Sequence, residues 1–246
     1  MNLILLNRDE AKNDRVELSD RRGRHIARVL NAKAGDELRV GVVRGPIGSA
    51  TVRGVDGDRV ELSIALAGPA PIEPNVDIVL AMPRPKELSR ILQTAASFGV
   101  GRVDVINAWR VDKSYLQSKR LEPERLRDAL VLGCEQGSTT WLPDIAVHPM
   151  MMPFIDEQLA PRFAADAPLG LLAHAHASRH VEEAAAQHKG RIIVAIGPEG
   201  GWIQRELDTF ETHGFASVSL GPRILRTHAA VAGLLAQLDM LARTRG

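Results

Sequence analysis

One cysteine, Cys134, is present in 246 residues, so no internal disulfide can form. That excludes a small disulfide-stapled scaffold and predicts a buried thiol in a reducing, cytoplasmic setting. Aromatic residues are scarce at 4%, with a single Tyr. Trp109, Trp141 and Trp202 could stack on nucleobases, but each is expected to be a packing residue. No apolar run reaches the roughly 18 residues of a transmembrane helix, so no membrane partner is expected. The opening MNLILLNRDE reads as a strand followed by charges and lacks the basic start of a secretory leader. There is no internal repeat and no low-complexity tract. A G-x-G-x-x-G fingerprint and a GK[ST] ending are both missing, which weakens a nicotinamide- or ATP-binding reading. His174 and His176 stand two apart with no third ligand nearby in sequence, so no metal is expected.

What is present describes an ordinary soluble globular chain, 45% hydrophobic and 25% charged, of a length suited to two domains. The net charge of +1 is unevenly spread. Between Arg21 and Arg44 lie seven basic residues against two acidic ones, and between Arg84 and Arg127 ten against five. Clustered arginine suits a phosphate backbone, and a solvated charged face is the alternative. Pro69, Pro71 and Pro74 make a stiff linker, which divides the chain into domains at 1–70 and 71–246. Before it, Asn2–Leu6, Glu37–Val42, Ala50–Val55 and Arg59–Ala65 read as strands of a small β-barrel, with turns at Gly35-Asp36, Gly45-Pro46 and Asp56-Gly57. The stretch His25–Leu30 reads as its one helix, with Ile26, Val29 and Leu30 inward and Arg24 and Arg28 outward.

After the linker, apolar runs at Val76–Met82, Arg102–Asn107, Ile145–His148, Leu169–His174, Arg191–Ile196 and Ser217–Leu220 alternate with helix patterns. Strands without polar alternation predict a parallel sheet covered on both faces, an α/β domain. Helices are expected at Lys86–Phe98 and from His228 to Arg243, the latter capped by Thr227. Two turns then carry most of the chemistry: Ile196-Gly197-Pro198-Glu199-Gly200-Gly201-Trp202 and Leu220-Gly221-Pro222-Arg223-Ile224-Leu225-Arg226-Thr227. Glycine turns at strand ends can form a crevice whose backbone groups hold a small ligand. Glu199 argues against a phosphate there, because like charges repel, and favours a neutral or cationic ligand such as S-adenosylmethionine.

These two motifs, IGPEGGW and LGPRILRT, resemble the RsmE-type ribosomal RNA uridine N3-methyltransferases of the SPOUT superfamily, and the likeness spans essentially the whole chain. HIARVLNAKAGDELRV is similar to that family's PUA-like RNA-binding domain. The resemblance implies an α/β fold in which a PUA-like β-barrel precedes a SPOUT domain with a mostly parallel sheet and a C-terminal trefoil knot within about 170–246. A knot is an exception to the usual absence of threaded chains. It also implies a homodimer, S-adenosylmethionine as cofactor, and the RNA of the small ribosomal subunit as partner.

Carried over by position, the resemblance implies three cofactor loops: Leu172-Ala173-His174; Gly197 to Gly201 after Ile196, with Pro198, Glu199 and Gly200; and Leu220-Gly221-Pro222 with Ile224, Leu225 and Arg226. Leu172, Ile196 and Leu225 would enclose the adenine. Arg226 would stabilise the uracil anion, and His228 is a possible base. Arg21, Arg22, Arg24, Arg28 and Arg110 would contact RNA. The chain departs from the family at Arg226-Thr227-His228-Ala229, at Ser97-Phe98-Gly99, and at Ser138, Thr139 and Thr140 after Glu135-Gln136, positions expected near the target nucleotide. A non-catalytic RNA-binding assembly factor on the same fold, a methyltransferase with another RNA target, and a nucleotide-binding α/β enzyme are the alternatives.

Overall fold

The structure, a computed structural model, describes residues 2–244. They form two compact units. One comprises the chain up to Glu73 together with Val131–Leu142, and the other comprises the remainder. The division falls within the proline-rich stretch, three residues beyond the expected position. The return of residues 131–142 to the first unit was not anticipated.

In the first unit β1 (Ile4–Leu6), β2 (Arg15–Leu18), β3 (Glu37–Val42), β4 (Ile47–Asp56) and β5 (Arg59–Leu66) form one sheet in the order β1-β3-β4-β5-β2. β1 pairs parallel to β3, and the other neighbours are antiparallel. β1 and β2 are the outermost strands of this order. Alternation builds the core: Val16 and Leu18 of β2 point inward with Val52, Val60 and Leu62. The β2 signal, Arg-Val-Glu-Leu, is only four residues long and was missed.

Edge strand β1 is buried, so its backbone polar groups need partners. Leu5 N donates to Glu135 Oε1 at 3.3 Å, and Arg22 Nη1 donates to the Leu5 carbonyl at 2.8 Å. This corrects the reading of Arg22 as an RNA contact. Its side chain is 9% exposed and paired with Glu10 and Asp20. Burial alone would lower the Arg22 pKa, but the hydrogen bonds to Glu10 and Asp20 raise it above the ordinary arginine value. Arg21 Nη2 bonds Glu135 Oε2 at 2.8 Å. Thr140, expected near a nucleotide, is instead buried and donates Oγ1 to the Gly45 carbonyl. Cys134 is buried as expected, and burial pushes its thiol up to about 12, so it is unreactive.

The predicted helix begins earlier, as α1 (Arg21–Arg24), and continues as a π-helical turn over His25–Val29, with Leu30 N bonded to the His25 carbonyl. The wider winding rotates the following positions off the core face. Ile26 is buried, whereas Val29 is 64% exposed and Leu30 is also outward, contrary to expectation. Gly23 permits this segment to lie on the sheet: a Cβ there would sit 2.3 Å from the Leu18 carbonyl oxygen and 2.4 Å from that of Asp58. Arg24 and Arg28 do face outward, and both reach Asp58.

In the second unit β6 (Val76–Ala81), β7 (Arg102–Ile106), β8 (Asp144–His148), β9 (Leu169–Ala173), β10 (Ile192–Ile196) and β11 (Phe215–Val218) form a wholly parallel sheet in the order β11-β9-β10-β6-β7-β8. Its helices are α2 (Pro85–Ser97), α4 (Met151–Phe154), α5 (Ala160–Asp166), α6 (Val181–Ala185), α7 (Gln204–Thr212) and α8 (Thr227–Thr244). α3 (Pro123–Gly137) begins in this unit and ends in the other. The last strand lies earlier than expected because Gly214, with φ +86°, ends α7 and releases the chain into β11 at once. Thr227 is the first helical residue of α8 rather than its cap. The Arg226 carbonyl accepts from Ala230 N at 2.8 Å.

The apolar sheet contains a buried charge cluster that the strand pattern did not reveal. Asp104 of β7 is fully buried and accepts from Arg102 and Arg162, with His148 Nε2 2.8 Å away. Burial opposes its charge, but the bonds from Arg102 and Arg162 outweigh it and hold the carboxyl below the usual carboxylate range. Such a lowered pKa stabilises the fold above the unfolded-state value and ceases to do so as pH falls through the folded one. Asp104→Asn is therefore expected to cost about 3 kcal/mol in urea unfolding near pH 7. That gap should close on acidification, and an equal gap at all pH values would refute the assignment.

Candidate functional site

The two glycine-bearing turns leave the parallel sheet at one edge, on either side of β9. β9 pairs in register with β10, Ala173 opposite Ile196, and with β11, Ala173 opposite Val218. All three strands end at that level, so the chain leaves each one at the same carboxyl edge. The segments that follow, 174–180, 197–203 and 219–226, therefore leave the sheet on the same side. β10 lies between β9 and β6, where the strand order reverses direction, and such an edge is where α/β sheets open a ligand crevice.

The first and third segments are laced together. His174 N donates to the Val218 carbonyl, Ser219 N to that of Arg179, and Val181 N to that of Ser219. Buried Ser219 also shapes its own turn, its Oγ donating to the Gly221 carbonyl at 3.0 Å and accepting from Gly221 N at 3.2 Å. Gly221 has φ +130°, and a Cβ there would meet nothing within 4 Å. The position thus needs glycine for its backbone and faces open space. α8 holds this turn from behind, where Gln237 Nε2 donates to the Leu220 carbonyl at 3.1 Å. Gln237 Oε1 is buried with no partner.

The middle segment is built differently. Gly201, at φ +71°, closes a turn by donating its N–H to the Pro198 carbonyl. A Cβ at Gly197 would lie 3.0 Å from the Trp202 indole nitrogen, so the chain passes directly over that buried ring. Glu199 is exposed, and its Oε1 accepts from Arg84 N at 3.1 Å at the start of α2. Glu206 is buried in the first turn of α7. Its Oε2 accepts from Ile203 N at 2.9 Å and its Oε1 from Trp109 N at 2.7 Å. One carboxylate therefore holds the glycine segment and the loop after β7 together.

The expected site residues are distributed over these three segments and the strands before them. Ala173, His174, Gly197, Pro198, Glu199, Gly200, Gly201, Leu220 and Gly221 line the sheet edge or the turns leaving it. Leu172 and Ile196 are buried strand residues whose side chains belong to the core, so they do not present an apolar wall to a ligand. A sheet covered on both faces leaves only their backbone at the edge. Ile224, 78% exposed, and Leu225 are outward. Arg226 is exposed and has no ion-pair partner among the described residues. His228 stands with Nδ1 3.9 Å from Glu87 Oε2. Arg110 donates Nη1 to the Gly200 carbonyl at 2.6 Å and packs its stem on Gly200. Trp141 has the Arg44 guanidinium over its ring at 4.9 Å, whereas Trp109, expected to pack, is 77% exposed.

Glu206, Ser219 and Gln237 were missed. A glutamate three residues beyond a chain bend before a helix is a capping signal that could have drawn attention to Glu206. Gln237 gave no comparable signal. Among the described residues no group of three or more His, Cys, Asp and Glu could hold a metal, and no helix is long and apolar enough to cross a membrane.

Comparison with known proteins places this architecture. A family model described as an RNA methyltransferase domain matches residues 71–239, and one described as an RNA methyltransferase PUA domain matches residues 18–65. Among curated proteins, the ribosomal RNA small subunit methyltransferase E of Treponema pallidum (strain Nichols) is 28% identical over 94% of this chain and 87% of its own length. The protein of that name from Mycobacterium bovis is 26% identical over 89% of this chain and 84% of its own. Among solved structures, the Neisseria gonorrhoeae ribosomal RNA small subunit methyltransferase E, bound to S-adenosyl methionine, superposes with a TM-score of 0.77 at 21% identity over 98% of both chains. A probable rRNA-methyltransferase from Porphyromonas gingivalis gives 0.78 at 23% over the whole of both. With a methyltransferase-domain match over more than half its length and the accompanying PUA domain before it, the chain belongs to the RsmE-type family of RNA methyltransferases.

Proposed function

We propose that this protein methylates N3 of a uridine in the RNA of the small ribosomal subunit, using S-adenosylmethionine as donor. The observation that carries this reading is the convergence of the segments after β9, β10 and β11 on one sheet edge, around a glycine with open space where a side chain would be. The residues fit that cofactor. Ala173, His174, Gly197, Glu199 to Gly201, Leu220, Gly221, Ile224 and Leu225 would hold it, largely through backbone groups. Gln237 Oε1 offers a buried acceptor that no described residue meets. Bound there, the cofactor supplies an electrophilic methyl on a sulfonium.

The chain's own task is to prepare the acceptor. Uridine N3 carries a proton at neutral pH, and that proton must leave before or as the nitrogen attacks. Arg226, uncommitted to any carboxylate among the described residues, is the group to stabilise the negative charge that spreads onto the uracil oxygens. His228 is the group to take the proton, with Glu87 placed to pair with the imidazolium so formed. The reading extends to a trefoil knot in the last third of the chain, a homodimer, and a cytoplasmic location. In the first unit, Arg24 and Arg28 are the phosphate contacts, Arg21 and Arg22 being occupied with Glu135, Glu10 and Asp20.

Deletion of the gene, followed by mapping of modified bases in ribosomal RNA, tests the proposal. One N3-methyluridine should vanish and be restored by the purified protein. Restoration by Arg226→Gln should be slower by about 10²-fold in kcat. An unchanged modification map would overturn the reading. By calorimetry, Gly221→Val should weaken S-adenosylmethionine binding at least about tenfold, because its side chain fills space the donor would use. The Arg28 and Arg24 hydrogen bonds hold the partly buried Asp58 carboxyl below its ordinary range, so this acid competes with phosphate for both cations. Asp58→Asn should therefore tighten RNA binding at low salt, while Arg28→Ala should weaken it and reduce the salt slope by about one. Equal affinities for all three would remove this segment from the RNA interface.

A further inference from the structure

A cavity of about 590 Å³ opens beside the glycine segment, and the chemistry described so far makes no use of it. Its volume falls in the range of roughly 300–1,000 Å³ typical of sites for small organic groups. It lies beyond the carboxyl ends of β7 and β8, against the start of α7. Trp109, Val111, Met151, Met152 and Ile203 give it apolar walls, and Lys113 and Arg205 add two cations without ion-pair partners among the described residues.

Two features mark it as a built site. The first is Trp109. An aromatic ring of this size left 77% exposed is unusual in a chain with so few aromatics, yet its backbone is fixed by the buried Glu206 carboxylate. Because Glu206 also holds Ile203 N, the ring's backbone is tied to the turn that follows the glycine segment. The second is Asn107. Its Nδ2 donates to the Pro149 carbonyl at 3.2 Å, which fixes the amide orientation, and its Oδ1 is a buried acceptor with no partner among the described residues.

We propose that this cavity receives an unstacked nucleobase of the RNA substrate, a neighbour of the nucleotide that is methylated, with Trp109 as its stacking platform. Rests of this kind are needed because an RNA base can be reached for chemistry only after it leaves its stack, and its neighbours then lose their own stacking partners. A π-face replaces that lost stacking for any base, worth roughly 1–3 kcal/mol. Lys113 and Arg205 suit the flanking phosphates, and the Asn107 acceptor suits a base N–H. Continuity with the proposed donor site comes through Arg110, next to Trp109, which is bonded to the Gly200 carbonyl. Glu206 is a positioning residue that acts through Trp109.

The inference rests on the proposed RNA methyltransferase function, and its test keeps the two separable. Trp109 is the most exposed of the three tryptophans, so binding of a short single-stranded RNA should quench tryptophan fluorescence, and Trp109→Phe should abolish that quench. In methyl-transfer assays on small subunits, Trp109→Ala should raise KM for RNA about tenfold or more, Trp109→Phe much less, and neither should change S-adenosylmethionine affinity. An active parent protein whose Trp109→Ala variant keeps the same KM would overturn the base pocket while leaving the function intact. An inactive parent protein with a normal RNA quench would do the reverse. A change in sedimentation of Trp109→Ala with unaltered RNA binding would assign the face to a second copy of the chain and also overturn the proposal.

Discussion

In-register parallel pairing of β9 with both β10 and β11 is the constraint on which the site depends. Parallel strands that end at one level release their following segments on the same side, so distant stretches of sequence converge without touching one another within the sheet. A shift of one residue in either pairing would invert the faces of a strand that is buried on both sides. The apolar interiors of Leu171, Leu172, Val194 and Ala195 therefore fix where Gly197 and Gly221 stand. Packing in the middle of the sheet determines geometry at its edge.

Polar side chains then finish what the sheet begins. Glu206, Ser219 and Gln237 each satisfy backbone groups of a turn that glycine leaves undecided. Buried polar groups of this kind are costly unless paired, and that cost makes the paired conformation specific. The first unit follows the same rule at β1, where Arg22 and Glu135 occupy the carbonyl and amide of Leu5. Arginines close together in sequence thus have different fates: Arg22 is part of the scaffold, and Arg24 and Arg28 remain at the surface.

Much of this was legible in the sequence because it is written in periodicity and turn chemistry. Unbroken apolar runs announced the parallel sheet. What stayed hidden depends on contacts remote in sequence. No local pattern reports that Asp104 would find Arg162, that Thr140 would reach Gly45, or that Trp109 would be held outward by Glu206. The π-helical turn at His25–Val29 was hidden for a subtler reason: a residue spacing read at 3.6 per turn assigns Val29 to the wrong face once the winding widens.

The membership of Val131–Leu142 in the first unit has a consequence for how this protein is assembled and inherited. Neither unit is one uninterrupted stretch of polypeptide. A gene segment ending at the prolines would encode a sheet whose outermost strand has lost the carboxylate of Glu135, together with the Thr140 hydroxyl that meets Gly45. Recombination at the linker alone would therefore not yield a self-sufficient first unit. Because the chain passes between the units three times, no single crossover point separates their coding segments.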